Sequence, residues 1–194
     1  MHMETEHLLD INSLRKAMTR FTRQGDRGTA LVAAAWLDDA MEARIRAACR
    51  PNKATVDEML RPDGPLGSFS ARIKLAFLFD LIEPMVKKDL DLIRRIRNEF
   101  AHKRHNLTFV SNVIRNRCDE LHGAKAFRLG VVPLRSPKQK FLFTVYFLAA
   151  YLLLKTGHRK RGSETNEIDA YGTWVRRTAK SYSIALSLAG IEGV

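Results

Sequence analysis

The stretch from Ser70 to Ile82 is the strongest constraint on this chain. Ile73, Leu75, Ala76, Phe77, Leu78, Phe79, Leu81 and Ile82 leave a helix here almost no polar face. A helix apolar all round belongs inside a bundle, so other helices are expected to cover it. Gly64-Pro65-Leu66-Gly67 ahead of it suits a tight loop, and Ser68 or Ser70 can cap its start. Glu83-Pro84 reads as a joint, because proline is tolerated in the first turn of a following helix. That next helix is amphipathic, with Val86, Leu90, Ile93, Ile96 and Phe100 along one side, and it stops near His102. Arg97 falls within the same arc, four residues after Ile93 and three before Phe100. A buried guanidinium without a partner is costly, so Arg97 is expected to have a partner or a wet cleft.

The remaining chain reads as helices built around this pair. Residues 4–23 predict a first helix with Leu8, Leu9, Leu14, Met18 and Phe21 inward. Arg27 to Arg50 predicts a second, with Leu31, Ala34, Ala35, Leu37, Met41, Ile45 and Ala48 inward, ended by Pro51. A short helix from Thr55 to Arg61 leads into the Pro62–Gly67 turn, and another runs from about Ser111 to Leu121. Residues 122–137 are mixed, and Val131-Val132 is expected to form a short extended piece. Phe141 to Leu154 is an apolar run of fourteen residues between Lys140 and Lys155. A bilayer crossing needs about 20 such residues, so 138–156 is expected to be a core helix and no membrane partner is expected. A basic loop (157–163) and a last helix (about 166–189) follow. The expected fold is all-α, a helical bundle of six to eight helices. Residues 1–156 form the bundle, and 157–194 are a basic loop and C-terminal helix packed on the same domain.

Charge suggests a partner. Formal net charge is +12, and residues 121–194 hold 12 Lys/Arg against 4 Asp/Glu. Such an excess fits a polyanion, nucleic acid above all, although a solvated basic surface gives the same count. The candidate phosphate contacts are Lys103, Arg104, Arg159, Lys160, Arg161, Arg176, Arg177 and Lys180. Tyr171, Trp174 and Tyr182 fit the core better. Cys49 and Cys118 match neither a disulfide framework nor a metal motif, so no metal and no cofactor are expected. Met1 to Glu6 lack a basic segment followed by an apolar one, and a cytoplasmic location is expected.

Three blocks carry a resemblance: Asp26 to Ala40 (DRGTALVAAAWLDDA), Gly64 to Lys74 (GPLGSFSARIK) and Leu92 to His102 (LIRRIRNEFAH). In this order they resemble the mannitol operon repressor family of bacteria. The resemblance covers residues 20–122 and extends to the helix at 138–156, but it does not reach 157–194. It implies an all-helical homodimer in transcriptional control, working through a protein partner or a basic surface, and it supplies no helix-turn-helix. Arg97, Asn98 and His102 are also similar to the Arg-polar-x-x-x-His signature of HEPN helical domains. Several of those are metal-independent ribonucleases assembled across a dimer.

In that second reading Arg97, Asn98 and His102 are the catalytic candidates. A His near neutrality can act as base or acid, and an Arg fork can hold the phosphorane charge. On a continuous helix residues five apart point about 140° from each other. Arg97 and His102 therefore converge only if the helix unwinds near Ala101 or a second subunit supplies one of them. The structural alternative makes His102 a C-terminal cap and Arg97 a strut to Asp38, Asp39 or Glu42. Asp38 and Asp39 otherwise read as a solvated edge, and the Gly64–Gly67 loop lacks phosphate-cradling spacing. The regulator reading leads, a HEPN-like ribonuclease of toxin or defence type is the alternative, and whether the chain is an enzyme stays open.

Overall fold

A computed structural model describes residues 24–102, 107–128, 134 and 136–154. Among them are seven helices: α1 (Asp26–Ala48), α2 (Lys53–Leu60), α3 (Phe69–Leu78), α4 (Pro84–His102), α5 (Asn112–Glu120), α6 (His122–Arg128) and α7 (Pro137–Leu154). The described residues form an all-α bundle. The expected helices at 4–23 and 166–189 and the extended piece at Val131-Val132 lie outside the described residues.

Local chemistry sets the helix starts. Asn52 accepts from the Thr55 N–H at 3.2 Å and caps α2. Ser68, rather than Ser70, caps α3 by accepting from the Ala71 N–H at 3.1 Å. Each cap satisfies an amide that the first turn leaves without a partner. The turn between α2 and α3 folds back on the end of α2, with the Leu66 N–H on the Met59 carbonyl at 2.8 Å. A Cβ at Gly67 would run into the carbonyls of Arg61 and Pro62, so only glycine fits there.

The core forms where α1 lies against α7 and α4, with α5 and α6 closing over α7. Val86, Leu90, Ile93, Ile96 and Phe100 of α4 are buried, as their spacing requires. Phe100, Phe109 and Phe141 form a chain of tilted rings with centroids 5.1 Å apart at each step. In α7, Phe141, Leu142 and every residue from Val145 to Leu152 are buried. The Thr144 hydroxyl donates to the Lys140 carbonyl at 2.9 Å, which satisfies it within that apolar surround.

Two expectations need correction. The start of the mixed segment is helical, because α6 is capped from a distance. Both oxygens of Asp89, a fully buried α4 carboxylate, accept from α6: the His122 N–H at 2.7 Å and the Gly123 N–H at 2.8 Å. Nothing near residue 122 in sequence announces this cap.

The second correction concerns α3, which does not stay covered. Arg72, Ile73 and Ala76 are buried, but Leu78 is 76% exposed and Phe79 is 68% exposed. The helix stops at Leu78 in a Schellman turn. The Leu81 N–H returns to the Ala76 carbonyl at 2.8 Å and the Asp80 N–H to the Phe77 carbonyl at 3.2 Å. Asp80 occupies the left-handed position at φ 54°, where glycine is the usual residue.

Candidate functional site

The three sequence blocks meet in space and hold one another. Asp26 opens α1: its Oδ2 accepts from the Phe109 N–H at 2.9 Å and its Oδ1 from the Lys138 ammonium at 3.1 Å. Arg27 donates to the Ala101 carbonyl at 3.1 Å, joining the first block to the end of the third. Arg72, only 7% exposed, joins the first block to the second. It pairs with Asp38 at 2.7 Å and Glu42 at 2.8 Å, and donates to the carbonyls of Leu66 at 2.9 Å and Leu60 at 2.8 Å. The fork geometry of the guanidinium makes such four-way bracing possible. Burial is the main influence on Asp38 and raises its pKa, against the opposing pull of Arg72. Arg46 extends the network to Glu42 at 2.9 Å and Asp57 at 2.6 Å. Asp38 and Glu42 thus belong to a strut whose cation is Arg72, which corrects the structural alternative that gave this role to Arg97.

Arg97 is exposed, contrary to the expectation for its arc, and donates to the Oδ1 of neighbouring Asn98 at 3.1 Å. Its long stem carries the guanidinium out of the seam. Helix α4 runs unbroken through His102, which is exposed in the last turn. Within one chain Arg97 and His102 therefore diverge, and only Arg97 and Asn98 are brought together. Lys103, Arg104, Arg159, Lys160, Arg161, Arg176, Arg177 and Lys180 lie outside the described residues. Burial pushes the Cys118 thiol up to about 12, which leaves it protonated and a poor nucleophile. Among the described residues no group of three or more His, Cys, Asp and Glu is arranged to hold a metal, and no helix is long and apolar enough to cross a membrane.

Sequence reasoning passed over Arg72 and Asp89, although the criterion applied to Arg97 identifies both. Arg72 sits beside Ile73 in the apolar helix, and Asp89 lies three after Val86 and four before Ile93 on the buried arc. It placed the joint between α3 and α4 at Glu83-Pro84 but not the contacts that hold it. There the buried Arg44 of α1 donates to the Leu81 carbonyl at 3.2 Å, and the Tyr151 hydroxyl of α7 donates to Glu83 at 3.1 Å. The functional geometry of the described residues is thus a braced platform with an apolar point, Leu78 and Phe79, standing out from it.

Comparison with known proteins places this bundle in a family. The family model described as MtlR, Mannitol repressor, matches residues 27–149. The mannitol operon repressors of Escherichia coli strain K12 and of Escherichia coli O6:H1 strain CFT073 are each 33% identical over 70 residues. That segment is 36% of this chain and 36% of each relative's own length. A chain in the X-ray structure of the MtlR-HPr complex from Escherichia coli superimposes with a TM-score of 0.61 at 19% identity, covering 72% of this chain and 98% of that one. With the family match spanning α1 through most of α7, which contain all three sequence blocks, the chain belongs to the mannitol repressor family.

Proposed function

We propose that this chain is a regulator of the mannitol repressor type that acts by binding a protein partner through its helical bundle. The family match over residues 27–149 carries the reading. A fold relative solved together with HPr supports a protein partner, and we take HPr as the candidate. The braced platform also suits docking, since a surface already held in place loses little freedom on binding. The test is calorimetric titration of the full chain with HPr of the same organism. The expected result is one-to-one binding tighter than about 10 µM. No heat change or co-migration at about 100 µM of each protein would remove HPr as the partner.

The regulator also has a nucleic-acid arm and is a homodimer in this reading. The excess of 12 Lys/Arg over 4 Asp/Glu in residues 121–194 supports the first. Duplex DNA held through phosphates loses affinity steeply as salt rises, with a slope that tracks the number of contacts. Charge reversal at Arg159, Lys160 and Arg161 then weakens binding and flattens the slope. Affinity indifferent to salt and to these changes would remove this arm. Sedimentation of the full chain decides the dimer.

A further inference from the structure

We propose that the solvent face of α4 contacts the phosphate backbone of duplex DNA through Lys88 and Arg95, in a row that ends at His102. The inference rests on the nucleic-acid arm of the proposed function and adds a surface of the described bundle to it.

Helix α4 runs unbroken from Pro84 to His102. Lys88, Arg95 and His102 follow one another at intervals of seven, which places them within about 40° of one another on one side of the helix. Each interval rises about 10.5 Å, so the row is about 21 Å long. All three residues are exposed. Arg97 is exposed too, but it points about 160° away from Arg95 and stands outside the row.

The carboxylates of α4 are all engaged elsewhere. Both oxygens of Asp89 accept from the α6 amides. Asp91 pairs with Lys87 at 2.9 Å and lies 3.6 Å from Arg94, and Glu99 pairs with Arg117 of α5 at 3.0 Å. Lys87, Arg94 and Arg117 are therefore matched. Among the described residues no carboxylate pairs with Lys88, Arg95 or His102. In sequence the row is followed at once by Lys103 and Arg104.

The composition of this face selects its occupant. A protein interface is held by apolar and aromatic anchors at its centre. The large apolar side chains exposed among the described residues are Met59, Leu78, Phe79 and Val110, and none of them is on α4. A phosphate backbone asks only for cations and hydrogen-bond donors. Duplex DNA carries one charge per about 1.7 Å of its axis, so a straight row about 21 Å long passes about a dozen phosphates and needs no special register. Lys88 and Arg95 give up no ion pair to meet them. Contacts of this kind position the protein without reading bases.

Fluorescence anisotropy of the full chain on two labelled DNA duplexes of unrelated sequence, over a salt series, tests this. The proteins are wild type, Lys88→Gln/Arg95→Gln and Arg159→Gln/Lys160→Gln/Arg161→Gln. Wild type is expected to bind both duplexes. The α4 variant is expected to keep its melting temperature, to show a salt slope smaller by about two, and to bind about 50-fold more weakly at about 0.1 M salt on both duplexes alike. If the double variant melts early, Lys88→Gln and Arg95→Gln are measured singly, each lowering the slope by about one. An α4 variant that matches wild type while the 159–161 variant is weakened overturns this inference and leaves the nucleic-acid arm standing. A wild type that binds neither duplex removes the arm and this inference with it. A loss confined to one duplex means that the row reads bases, and overturns the phosphate contact. An α4 variant that loses affinity for HPr while keeping it for DNA assigns the face to the protein partner and overturns the proposal.

Discussion

Helices α3 and α7 are alike in sequence and opposite in fate. Both lack a polar face, yet α7 is buried almost throughout while α3 carries its last residues into solvent. The difference lies in their neighbours. Helix α7 packs with α1, α4, α5 and α6, whereas α3 packs mainly against α1 and α4. Apolar composition therefore states a need for cover without saying what provides it. In α7 the cover is the chain's own; at the end of α3 Leu78 and Phe79 stand in solvent.

Truncation at matched chemistry gives the largest test of that contrast. Phe147 is 1% exposed in α7, and Phe147→Ala is expected to cost about 3–5 kcal/mol of unfolding free energy. Phe79→Ala removes the same ring from the cap that follows α3 and is expected to cost within about 0.5 kcal/mol. Denaturant titration of both measures it, and similar losses would break the comparison.

Next comes the anchor that keeps the first half of α3 down. Arg72→Ala leaves Asp38 and Glu42 facing each other and two carbonyls without a donor, at an expected cost of about 3 kcal/mol. Arg72→Met also removes the charge but keeps stem packing, and is expected to recover part of that loss. A neutral Arg72→Ala would mean that α3 is held by its apolar contacts alone.

The cover over α7 has a pH signature. Burial is the main reason the Asp89 carboxyl rises from 3.8 to about 6, with the Gly123 and His122 amides pulling it down. The folded protein thus holds this proton more tightly than the unfolded chain, and stability from this group falls as pH rises from about 4 to 6. The full drop is about 3 kcal/mol, from about two pKa units at 1.36 kcal/mol each. Unfolding free energies of wild type and Asp89→Asn at pH 4 and pH 7 isolate it, because the other carboxylates cancel. The wild type's margin over the variant is expected to shrink at pH 7, and an equal margin at both would show that the buried carboxyl does not titrate there.

The fold was largely legible because periodicity reports which side of a helix needs cover, and α4 buries the arc its spacing drew. The same wheel places Cα positions but not the heads of long side chains. Arg97 leaves the arc on its stem, whereas Asp89 is too short to leave and must be satisfied inside. The α6 cap and the Arg72 strut join residues 33 and 34 positions apart, so no local pattern contains them. The Leu78–Phe79 point was hidden for a related reason. A helix stop is usually marked by glycine, and here the left-handed position holds Asp80.

That substitution makes the smallest prediction the sharpest. Glycine adopts φ 54° without the steric cost that a Cβ brings, so Asp80→Gly is expected to gain up to about 1 kcal/mol in unfolding free energy. The gain is limited because glycine also frees the unfolded chain. If the turn exists only to end α3, HPr affinity should ignore the change. Denaturant titration of wild type and Asp80→Gly checks the gain, and an unchanged stability would show that Asp80 holds its left-handed backbone at no cost.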